Sequence, residues 1–225
     1  MKPLNKKNNF SYLFFSLIIF LFSASVMVNF SESIGEDIFS ILAMIMFIVS
    51  LKSLNTERTW KWSLYTLIIF FVLFTTLEKI FAYHIYVYLV LLTLLVFFIG
   101  SFMASVKQIL FIGDVDRNKI IGSLTLYILL GLIWTIIYLL LLAIDPKAFS
   151  GIETVTNLKQ IFSLMAYYSF ITLTTVGYGD ITPANHVAQF FAYMEAIAGV
   201  FYMAIVVSSL ISLRLSAMQN EKKGK

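Results

Sequence analysis

Apolar residues in this chain fall into long uncharged runs: Phe10 to Phe30, Ile38 to Leu51, Trp62 to Leu77, Ile80 to Val106 and Ile120 to Ile144. A last run, Val187 to Leu213, is interrupted only by Glu195. At 1.5 Å of helix per residue, about 20 residues span a hydrocarbon core of ~30 Å. The pattern predicts an all-α membrane protein with six transmembrane helices. The second run is the weakest, since its 14 uncharged residues make only ~21 Å of helix. That crossing must recruit Ser33 to Asp37 and let Lys52 reach the interface, with a re-entrant segment as the alternative. Only Glu78 and Lys79 separate the third and fourth runs, so a tight turn is expected there.

Charge sets the orientation of these helices. Lys2, Lys6, Lys7, Lys52, Arg58, Lys61, Lys107, Arg117, Lys119, Arg214, Lys222, Lys223 and Lys225 fall on one side of a six-crossing chain, 13 of the 16 Lys and Arg. By the excess of basic residues in inner loops that side is the cytoplasm, with both termini there and Trp60 and Trp62 at the inner interface. Composition agrees, because 60% hydrophobic and 12% charged residues lie far from a soluble domain. The net charge of +4 is spread over loop clusters and not over one polar face, which argues against nucleic acid as a partner. Absence of cysteine excludes disulfides, zinc–thiolate sites and cysteine nucleophiles. The basic start and Ser23-Ala24-Ser25 imitate a signal peptide, yet the run is long enough to span, so an uncleaved first helix is expected.

Between the last two crossings lies a segment of another kind. Ile161 to Thr175 is apolar but too short to span, Thr156 or Asn157 can cap its start, and a Gly-rich strand follows. Non-helical backbone at membrane depth is tolerated only inside protein or beside water, so this is a re-entrant half-helix and loop. Gly177 and Gly179 can take positive φ without steric cost, which lets successive carbonyls point one way, as rings that replace a cation's water require. Val176 and Tyr178 would then point away and pack. The ion oxygens would be the carbonyls of Thr175, Val176, Gly177 and Tyr178 with the Thr175 hydroxyl. One chain gives a quarter of each ring, so three further copies are implied.

Thr174-Thr175-Val176-Gly177-Tyr178-Gly179-Asp180 resembles the signature of the tetrameric potassium channel family. The similarity covers roughly Ile120 to Leu213. It implies a homotetrameric pore that passes K+ through a filter of Thr175, Val176, Gly177, Tyr178 and Gly179, with Thr174, Asp180, Tyr167 and Tyr168 in support. Tyr167 and Tyr168 stand where many members have a bracing aromatic pair. Ile171 replaces the glutamate of the best-known proton-gated bacterial member, which argues against its acid-coupled inactivation. Gly199 lies where the family often keeps a hinge glycine, with close helix packing as the equal alternative. Met203, Val207 and Ile211 follow at four-residue spacing and are candidates to line the inner vestibule.

The implied layout is a four-helix membrane domain at 1–107 without gating charges, a cytoplasmic linker at 108–119, a pore domain at 120–214 and a basic tail at 215–225. Ile80 to Val106 holds no Lys or Arg, so steep voltage gating is not expected. His84 is read as an interfacial or packing residue. Glu195 is the only ionisable side chain between Val187 and Leu213. It should therefore face protein or water, against Ser169, Thr172 and Thr174 of the half-helix or in the upper cavity, as a functional acid or as a protonated hydrogen-bond partner.

Other readings fit less well. An intramembrane aspartyl protease needs a second embedded aspartate, but Asp37, Asp114, Asp116 and Asp145 fall at segment ends or loops. A transporter would show repeated filter-like loops, and non-selective relatives replace the filter tyrosine with an acid. No enzyme activity and no organic cofactor are expected. The expected setting is a prokaryotic plasma membrane, with lipid and an unidentified regulatory subunit as further partner classes.

Overall fold

A computed structural model describes residues 9–27, 32–54, 58–81, 83–111, 117–152, 158–209 and 211–212. Five helices come first: α1 (Asn9–Met27), α2 (Glu32–Ser53), α3 (Arg58–Phe81), α4 (His84–Phe111) and α5 (Arg117–Ile144). The short strand β1 (Phe149–Ser150) precedes α6 (Leu158–Leu173), and β2 (Thr182–Pro183) precedes α7 (His186–Tyr202). A π-helical turn, Met203–Val207, continues α7. Five stretches are long and apolar enough to cross a membrane: Asn9–Val26, Trp62–Phe81, His84–Ile109, Asn118–Ile144 and His186–Val207.

The apolar pattern places the core. In α1, Leu13, Leu17, Phe20 and Ala24 recur every three or four residues and are buried, while Phe15, Ile19 and Phe22 on the other face are exposed. The buried stripe seats α1 on α2, α5 and α6. Phe20 of α1, Phe39 of α2 and Phe162 of α6 meet with centroids 5.1 to 5.5 Å apart, so the amino-terminal helices touch the half-helix that precedes the Gly-rich strand. At the opposite end of α1, Asn9 donates to the Ser53 carbonyl at 3.0 Å and Asn118 donates to Asn9 at 2.6 Å. The Phe10 amide, one of those a helix start leaves unpaired, donates to Asn118 Oδ1 at 3.1 Å.

Three boundaries differ from the sequence expectation. The turn expected at Glu78 and Lys79 comes later, because α3 absorbs both and runs to Phe81; a lysine in the last turn suits the negative end of the helix dipole. The linker expected at 108–119 contracts from both sides, since α4 runs to Phe111 and α5 begins at Arg117. α2 has 22 residues, about 33 Å of helix, although its apolar part, Ile38–Ser53, is shorter than the five stretches above. Thr156, Asn157, the segment 112–116 and the tail 213–225 lie outside the described residues.

Candidate functional site

The half-helix α6 ends by folding the chain back over its own carboxyl end. Thr174 N donates to the Phe170 carbonyl at 3.1 Å, and Thr175 N to that of Thr172 at 2.9 Å. Val176 N and Gly177 N converge on the Ile171 carbonyl at 2.9 and 3.2 Å. From there every second residue is left-handed: Thr175 (φ 59°), Gly177 (φ 56°) and Gly179 (φ 80°). A Cβ at Gly177 or Gly179 would meet nothing within 4 Å, so backbone conformation and not space is what selects glycine there. Thr175 has no such freedom. A β-branched residue at positive φ is strained by roughly 1–3 kcal/mol, and such strain concentrates at functional sites.

The strand is supported from one side. Tyr167 donates to Asp180 Oδ2 at 2.7 Å, which holds the Asp180 carboxyl below the usual carboxylate range. Tyr168 is buried instead, edge-on to Tyr138 at 5.0 Å and to Phe149 at 5.2 Å. Thr174 turns its hydroxyl to the Phe170 carbonyl at 2.6 Å. Beyond the strand, Asn185 caps α7 by accepting from Ala188 N at 2.8 Å and donates to Asp145 Oδ2 at 2.7 Å. The start of α7 is thereby tied to the end of α5. Within the single chain the packing expected of Val176 and Tyr178 is absent: they are 52% and 72% exposed.

Two gating candidates on α7 face the half-helix. A Cβ on Gly199 would lie 2.1 Å from the Leu173 carbonyl oxygen, so the helices meet backbone to backbone there, a packing reason for this glycine. Glu195 is fully buried and receives hydrogen bonds from Tyr138 of α5 and, at 2.6 Å, from Ser169 of α6. Of the three half-helix hydroxyls expected near it, Ser169 is the one that bonds; Tyr138, 57 residues away in sequence, was not foreseen. Met203 and Ile211 are exposed and Val207 half-buried. Met203 and Val207 are the ends of the π-helical turn, which alters the four-residue register that their spacing assumed.

Residues 126–214 match the family model described as an ion channel, and three plant proteins match within the same class. The chain is 32% identical over 66 residues to Two-pore potassium channel 2 of Arabidopsis thaliana, covering 28% of this chain and 15% of that protein. Identity is 35% over 54 residues to Two pore potassium channel c of Oryza sativa subsp. japonica, or 24% of this chain and 12% of the relative. It is 32% over 72 residues to Two-pore potassium channel 4 of Arabidopsis thaliana, covering 32% and 24%. This segment belongs to the potassium channel family. The chain spans between 12% and 24% of the length of these potassium channel relatives. No solved structure matches. The potassium channel segment begins within α5 and contains the half-helix, the left-handed strand, Glu195 and Gly199.

Proposed function

We propose that four copies of this chain enclose one pore that conducts K+ selectively and passively, through rings of carbonyls from Thr175, Val176, Gly177 and Tyr178 and the Thr175 hydroxyl. The alternation of left-handed residues at 175, 177 and 179 carries this reading. Alternation turns successive carbonyls to one side of a strand, where they can replace the ion's water. Gly179 ends the strand and Asp180, held by Tyr167, fixes its exit. The exposure of Val176 and Tyr178 fits the same reading, since a neighbouring copy would cover those faces. Each chain crosses six times with both termini in the cytoplasm, in the plasma membrane of a prokaryote; lipid surrounds the assembly, and a regulatory subunit remains a partner class.

Reconstitution of the purified chain in a bilayer with opposed K+ and Na+ gradients tests the proposal. The reversal potential should follow K+, and Tyr178→Asp should move it toward Na+. A wild-type reversal that follows Na+ as readily as K+ would falsify the reading.

A further inference from the structure

Glu195 takes part in a chain of hydrogen bonds whose protons can be counted. Three oxygen–oxygen contacts run in series: Tyr138 hydroxyl to Glu195 Oε2, Glu195 Oε1 to Ser169 Oγ at 2.6 Å, and Ser169 Oγ to the Gly131 carbonyl at 2.8 Å. Each needs one bridging proton. The tyrosine supplies one and the serine one, and the Gly131 carbonyl has none to give. Were Ser169 to turn its proton to the carboxylate, its lone pairs would face the Gly131 carbonyl across 2.8 Å with nothing between them. That carbonyl already accepts the Thr135 hydroxyl at 2.8 Å, so it cannot move aside cheaply. The third proton has to sit on Glu195.

We infer that Glu195 is a neutral carboxylic acid and a positioning residue for the filter: it accepts from Tyr138, donates to Ser169, and lets Ser169 donate to Gly131, so that α5, α6 and α7 are joined by one directional chain. Ser169 lies two residues before Ile171, whose carbonyl receives the amides of Val176 and Gly177. Fixing Ser169 fixes the turn from which the left-handed strand departs. The acid touches no conducted ion and acts through the half-helix. This role rests on the pore reading above, whereas the protonation state does not.

The experiment therefore has two arms on the full-length protein in lipid. The first is infrared difference spectroscopy of wild type against Glu195→Gln at neutral pH. A carboxylic-acid carbonyl band lost in the variant is expected, and loss of a carboxylate band instead would overturn the inference. Ser169→Ala removes one hydroxyl and should shift that band toward a less hydrogen-bonded acid; an unmoved band would also overturn it. The second arm is K+ conduction. Gln accepts from Tyr138 and donates to Ser169 as the neutral acid does, so its open probability should stay near wild type. Glu195→Ala breaks the chain at both ends and should lower open probability about tenfold, the scale of a net hydrogen bond. Gln as damaging as Ala, or Ala as active as wild type, would refute the positioning role. A wild type that conducts no K+ would sink the pore reading and leave the infrared answer intact.

Discussion

At Gly199 the demands of helix propensity and of packing conflict. Alanine would gain about 1 kcal/mol of helix preference over glycine, but its Cβ would lie 2.1 Å from a backbone oxygen that cannot rotate away. Overpacking of this kind costs about 1–3 kcal/mol, so Gly199→Ala should lower the thermal stability of the detergent-solubilised protein. A Tm at or above wild type would show that α7 can swing off Leu173 freely. The filter glycines were legible from sequence, because Gly177 and Gly179 in this motif need positive φ. The left-handed Thr175 was not, since a β-branched residue there goes against local preference and only the surrounding turn enforces it. Glu195 stood out as a lone acid in an apolar run, whereas its partner Tyr138 could be found only from the fold.

Among the elements, α7 depends on its amino end. Asn185 both caps it and reaches Asp145, so Asn185→Ala should destabilise the protein by about 1 kcal/mol or somewhat more, read as a fall in Tm; an unchanged Tm would mean that solvent satisfies those groups equally well. α4 offers a different test. It carries no Lys or Arg from His84 to Val106, and each charge moved through the field contributes about 2.3 kcal/mol per 100 mV. Open probability should vary only weakly with voltage, and a steep conductance–voltage curve would contradict this. Helix existence was readable from the runs of apolar residues; some details were not. Met203 to Val207 is as apolar as any α-helical stretch, so composition gives no sign of the π-helical turn. Glu78 and Lys79 looked like a loop because they are charged, yet a last helical turn near the membrane surface accommodates them.

On the scale of the whole molecule, the strand at 175–179 is exposed on faces that a single chain leaves uncovered. Native mass measurement of the protein in detergent should give four chains, about four times 25.7 kDa, and a monomer at all concentrations would leave the filter rings unformed. The seating of α1 against α5 and α6 means that the pore segment is buttressed by its own amino-terminal helix. The order of the Glu195 chain along the polypeptide has a consequence for biogenesis. Gly131, Tyr138 and Ser169 all precede Glu195, so a ribosome delivering this chain places every partner in the membrane before the acid emerges. The least lipid-compatible side chain of the last helix thus never has to wait in hydrocarbon for a counterpart, and insertion of that helix is coupled to completion of the half-helix it locks.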